Sequence, residues 1–100
     1  MRYKARYLST AKDDRNAIRN YLNQYSLTAA SRLFEKIKAK VELAKDNPYM
    51  YAAYERRSQF RRIVAEEYLL FYMVNENEKT IEIHHIFRGN IDIEQYINQL

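Results

Sequence analysis

Two adjacent pairs hold side chains that could do chemistry: Arg61-Arg62 and His84-His85, with Arg88 shortly after the histidines. Histidine, with an ordinary pKa of about 6.5, exchanges protons near neutrality. Arginine presents a planar fork that grips phosphate. Together they would suit a surface that holds a phosphodiester and, with a general acid and base, cleaves it. Both pairs fall in strand-like segments, where neighbouring side chains point to opposite faces. His84 and His85 therefore cannot ligate one metal as a pair, and only one of Arg61 and Arg62 can share a given face with a histidine. Alternation groups Ile81, Ile83, His85 and Phe87 on one side and Glu82, His84, Ile86 and Arg88 on the other. Across neighbouring strands, an arginine of the earlier segment would meet a histidine or Arg88 of the later one. The plainer alternatives are packed or surface histidines, and arginines paired with Glu66, Glu67 or Glu82.

Composition narrows the chemistry further. There is no cysteine, which removes disulfides, thiolate zinc sites and a cysteine nucleophile, and makes a cytoplasmic location the default expectation. A single glycine leaves no material for a phosphate-binding loop. Asp13-Asp14 reads as helix-start electrostatics. No metal and no cofactor is expected. A chain of 100 residues supports one core and no separate substrate domain, so a single domain over 1–100 is expected, without a deep pocket. The N-terminus has no apolar stretch of signal-peptide length, and no run reaches the roughly 20 apolar residues of a membrane span. A binding module or a minimal RNA-cleaving surface fits these limits better than a pocket enzyme.

The net charge of +4 conceals an asymmetry. Residues 1–62 hold 15 Lys/Arg against 6 Asp/Glu, and residues 63–100 hold 2 against 7, giving +9 and −5. Such a cationic half attracts an acidic peptide or a nucleic-acid backbone over distance. Arg2, Arg6, Arg32, Lys36, Arg56, Arg57 and Arg61 are the cations expected to meet a partner. The chain also holds ten tyrosines. Tyr68 and Tyr72 are expected in the core, whereas Tyr49, Tyr51 and Tyr54 could equally stack on a partner.

These side chains need elements to position them. "RYKARYL", 2–8, alternates basic with apolar or small residues as a strand does. Ser9 or Thr10 offers an N-cap to a helix over roughly 10–24, striped by Ala11, Ala17, Ile18, Tyr21, Leu22 and Tyr25. Thr28 offers a cap to a second helix striped by Ala30, Leu33, Phe34, Ile37, Val41 and Ala44, ending near Asp46 before Pro48. "YMYAAYERR", 49–57, lacks a period and reads as a tyrosine-rich loop. Three strands follow: 59–65, 68–74, which is apolar at nearly every position, and 79–87, joined by short polar turns. Ile93, Tyr96, Ile97 and Leu100 have the spacing of a short terminal helix. The expected fold is α+β, an antiparallel helical hairpin packed on an antiparallel sheet of about four strands.

Taken together, "YKARYLSTAKDDRNAIRNYL", the second helix running to "DNPYMY", the meander "FRRIVAEEYLLFYMVNENEKTIEIHHIF" and the "ID" after it resemble the RelE/ParE superfamily of bacterial toxins from type II toxin–antitoxin modules. The resemblance spans nearly the whole chain. It implies a toxin neutralised by a cognate antitoxin whose extended acidic segment wraps it. RelE-like members cleave mRNA in the ribosomal A site, and ParE-like members poison DNA gyrase. The arginine that nuclease members carry inside the third strand falls on Leu69, and the histidine or tyrosine near the end of their last strand falls on Phe87. His85 stands where ParE-like members commonly have arginine, Arg88 where they often have histidine or tyrosine, and Asn90-Ile91 replace a basic pair before Asp92. The resemblance thus favours a ParE-like toxin that binds a target such as DNA gyrase. The alternatives are a ribosome-dependent mRNA endoribonuclease using His85 or His84 with Arg62 or Arg88, and a basic RNA-binding domain.

Overall fold

The apolar run that begins at Tyr68 becomes the middle of a sheet, because a strand apolar at almost every position is stable only when both faces are covered. In a computed structural model of the chain, which describes residues 2–89, the elements are β1 (Lys4–Tyr7), α1 (Ser9–Asn23), α2 (Leu27–Asp46), β2 (Ala53–Tyr54), β3 (Arg57–Ala65), β4 (Tyr68–Asn75) and β5 (Thr80–Arg88). They form a five-stranded sheet in the order β1-β5-β4-β3-β2. β2, β3, β4 and β5 pair antiparallel, whereas β1 runs parallel to β5.

This corrects the expected all-antiparallel sheet of about four strands. β1 and β5 are not joined by a hairpin; the two helices carry the chain from one edge of the sheet to the other. The fifth strand, β2, lies inside the tyrosine-rich 49–57 segment, and two residues are too few for a period to register. The proposed terminal helix lies outside the described residues.

Both helix starts differ from expectation. Leu8 stands at the cap of α1 without a side-chain bond, and the Thr10 hydroxyl is committed to the carbonyl of His84. In α2 the cap is Ser26, whose Oγ accepts the N–H of Ala29 at 3.1 Å. Two apolar clusters lie on the two sides of the sheet. On the helix side Leu33, Ile37, Val41 and Ala44 of α2 meet Ile63, Leu70, Tyr72, Ile81 and Ile83. α1 contributes only Ala11 as a fully buried residue, with Ile18 and Leu22 packed at the margin. On the other side Phe60, Phe71 and Phe87 gather with Tyr54, Leu69 and Met73.

Sheet edges are short and guarded. β1 has four residues, two of them Lys4 and Arg6, and β2 has two. Farther along β3 the Nζ of Lys40 caps the carbonyl of Val64 at 2.7 Å.

Candidate functional site

The two histidines sit at a break in the ladder. Phe71 pairs with His85, and Tyr72 pairs with Ile83, so His84 has no partner on β4. A bulge of this kind inserts one residue and resets the alternation beyond it. Ile86 consequently joins Ile81 and Ile83 on the helix side, while Phe87 joins the opposite cluster. Both histidine rings touch that opposite cluster. His84 meets Phe60 edge-on at 5.1 Å, and His85 stacks on Phe87 at 5.0 Å with 12° between planes. The expectation that they face opposite sides is therefore corrected, the bulge being the cause.

β5 continues past the end of β1, and α1 covers the exposed edge. Leu8 N–H donates to the carbonyl of Ile83, Thr10 Oγ1 to that of His84, and Asp14 Oδ2 accepts the N–H of Ile86 at 3.0 Å. The same Asp14 oxygen lies 3.2 Å from His85 Nδ1. Asp14 thus serves the sheet edge, whereas Asp13 has no such contact. Burial holds the pKa of His84 below its ordinary value, and its Nε2 is buried without a partner. A neutral, desolvated imidazole wedged on phenylalanine is poorly placed to carry a proton to an anionic substrate.

β4 separates β3 from β5, so no arginine of β3 directly neighbours a histidine. Arg62, Phe71 and His85 do share one cross-strand row, with the outer two about 10 Å apart at sheet spacing. Arg62 is exposed and lines a small cleft with Tyr54, Glu55 and Arg56. Arg61 faces the other way. Its guanidinium lies 4.9 Å over the Tyr49 ring and donates to the carbonyls of Tyr51 at 2.7 Å and Tyr49 at 3.3 Å, fastening the segment after α2 to β3.

The structure brings together three of the singled-out cations that the sequence left scattered. Arg32 and Arg88 line a cleft between the helical hairpin and the β3–β4 turn, and Lys36 pairs with Glu66 of that lining. The volume of the cleft is about 320 Å³, and Tyr21, Leu22 and Tyr68 supply apolar lining. Arg32 and Lys36 both reach Glu66 Oε1, at 3.4 and 3.1 Å, and Arg88 reaches Glu67 at 3.2 Å. Lys36 first, then Arg32, hold the Glu66 carboxyl below its usual range. Hydrogen bonds that Arg88 donates to the Tyr21 hydroxyl oxygen and to Glu67 raise its pKa. Glu66 adopts a positive φ of 54°, a left-handed conformation that costs a non-glycine residue free energy.

The remaining cations are dispersed. Arg2 pairs with Glu42 and with Asp46, tying the N-terminus to the end of α2. Arg6 approaches Glu82 at 3.9 Å. Arg57 pairs with Tyr54 across the ladder, and Arg56 sits in the turn between them. Sequence reasoning missed Glu76, which accepts from Tyr3 and Tyr49 hydroxyls at 2.6 and 2.7 Å and from Lys79 at 3.0 Å. These contacts hold its carboxyl near a pKa of about 2. Among the described residues no cluster of metal ligands occurs, and no helix is long and apolar enough to cross a membrane.

The sequence profile of a family described as the ParE toxin of type II toxin–antitoxin systems, parDE, matches residues 5–93. No curated protein matches the chain. Among solved structures, the chain is similar to a chromosomal ParDE system from P. aeruginosa, with a TM-score of 0.69 and 19% identity over 86% of this chain and 95% of that one. It is also similar to the isolated E. coli RelE toxin, at a TM-score of 0.65 and 12% identity over 97% of each chain. The RelBE2 toxin–antitoxin complex from Mycobacterium tuberculosis gives a TM-score of 0.61 and 12% identity over 88% of this chain and 99% of that one. At such identities the likeness is one of fold.

Proposed function

Because the chain belongs to the ParE toxin family of type II toxin–antitoxin systems, we propose that it arrests growth by binding a macromolecular target such as DNA gyrase, and that a cognate antitoxin neutralises it. The observation that carries a binding mode over nuclease chemistry is the cross-strand pair Leu69–Phe87. By the resemblance to the RelE/ParE superfamily, these are the positions onto which the arginine and the terminal histidine or tyrosine of nuclease members would fall. Here they meet as two apolar side chains within the cluster around Phe60 and Phe71, so neither charge stabilisation nor proton transfer is available at that place.

The test is expression without the neighbouring antitoxin gene. Gyrase supercoiling should be inhibited by the purified chain while ribosome-bound transcripts stay whole. Transcripts cut at codon boundaries, with gyrase unaffected, would overturn the reading.

One observation favours an endoribonuclease instead. Arg62 and His85 share a row of the sheet, and Asp14 contacts His85 Nδ1, which would orient the ring for acid–base work. Replacing Arg62 and His85 together by alanine should then abolish growth arrest. Arrest that survives in a folded double variant excludes this second reading.

A further inference from the structure

Resting on the reading that an antitoxin neutralises this chain, we propose that an acidic and apolar segment of that partner anchors in the cleft between the helical hairpin and the β3–β4 turn, and that Glu67 fills the place of the partner's carboxylate while the chain is free. The cleft is sized for one or two side chains, and its lining combines Tyr21, 45% exposed, with Leu22 and Tyr68. A second hollow, bounded by Ala17, Ile18, Tyr21, Tyr68 and Arg88, continues it along α1. Apolar surface gathered in one concave spot suits an anchoring side chain better than it suits the extended phosphate track of a nucleic acid.

The charges around it are not equally committed. Two cations hold one oxygen of Glu66, fixing that carboxylate. Glu67 makes a single 3.2 Å contact with Arg88, and its side chain is 71% exposed. The Nε of Arg88 is buried with no partner, so an incoming group meets the guanidinium through its terminal nitrogens on a side chain 40% exposed. With Glu67 swung out, Arg32, Lys36 and Arg88 face one remaining carboxylate. An incoming carboxylate can then take the Arg88 fork in two parallel hydrogen bonds, while an apolar neighbour on the same segment covers Tyr21. A cationic partner would meet three like charges.

The experiment measures, by calorimetry, the affinity of the purified chain for the protein encoded by the reading frame abutting its gene. Arg88→Gln and Tyr21→Ala should each weaken binding by about tenfold. Glu67→Gln, a change at an exposed turn residue, should tighten it severalfold, because the competing internal carboxylate is gone. Lys38→Ala, on an exposed part of α2, should change nothing. If the parent chain binds that protein but Arg88→Gln and Glu67→Gln bind as tightly as the parent, the cleft assignment is overturned while neutralisation stands. If Glu67→Gln weakens binding, the stand-in role of Glu67 is overturned. If the parent does not bind the neighbouring protein, the neutralisation reading falls and this one with it.

Discussion

One oxygen of the Asp14 carboxylate accepts the backbone N–H of Ile86 at 3.0 Å, so a helix side chain takes the place of a missing strand. β1 ends at Tyr7, opposite Ile83, and β5 continues to Arg88. Without Asp14, the donor of Ile86, a residue only 3% exposed, would lose its acceptor. Asp14→Ala is expected to destabilise the fold by about 1–3 kcal/mol, the cost of an unsatisfied buried donor. Asp14→Asn, which keeps a side-chain oxygen, should recover part of that. Urea denaturation midpoints of the three proteins decide the matter; equal midpoints for Ala and Asn would remove the acceptor role.

Arg61 was expected to face a partner, and its guanidinium is engaged within the chain. Because it clasps two carbonyls and the face of Tyr49, Arg61→Lys should fail to restore what Arg61→Ala loses, about 1–2 kcal/mol. The loss should appear with faster amide exchange over residues 47–52. A lysine variant as stable as the parent would reduce the fork to a simple charge.

His84 predicts a pH dependence with a definite sign. Burial lowers its folded pKa below the ordinary 6.5, against a smaller opposing pull from Glu82 and with a push in the same direction from His85. As pH falls from about 6.5 toward the folded pKa, the unfolded chain binds a proton that the folded chain refuses, so stability declines across that window. Above it the dependence vanishes. His84→Gln should flatten the pH profile of the thermal midpoint between neutrality and pH 5; an unchanged slope would assign the titration elsewhere.

Glu76 acts in a lower window. Its folded pKa of about 2 lies under the ordinary 4.5, so the stability it lends is complete above 4.5 and disappears as pH falls through about 2. The Glu76 side chain is about half exposed, and its interactions with Tyr3, Tyr49 and Lys79 are open to salt. Glu76→Gln should reduce the acid-induced loss of stability at low salt, and molar salt should shrink the difference between variant and parent. A difference that ignores salt would point to packing instead.

Periodicity carried the two helices and the three long strands, because their apolar stripes repeat over enough residues to be unmistakable. Tyr68 and Tyr72 were legible as core for the same reason, being part of a run without polar interruption. The β2 strand was not legible, since Ala53–Tyr54 is shorter than one period of alternation. The bulge was hidden too. "IEIHHIF" reads as unbroken alternation until the partner strand shows that Phe71 and Tyr72 skip His84. That one extra residue moved Ile86 and Phe87 to the faces opposite those expected. Placement of α1 over the end of β5 turned Asp14 from a helix-dipole residue into an edge cap, a role that depends on where β1 stops. Arg32, Lys36 and Arg88 were each picked out as cations, yet their meeting around Glu66 and Glu67 depends on contacts between residues more than twenty positions apart.

The rims of the sheet set how this molecule behaves in a crowd of its own kind. A fibril grows when an extended chain can ladder onto a long, flat border of unused amides. Here one border is four residues long and carries Lys4 and Arg6, the other is a two-residue stub, and a lysine ammonium occupies the carbonyl that a newcomer at Val64 would need. Concentrated preparations should therefore resist amyloid-like stacking, and removing Lys40 is the change expected to open a template.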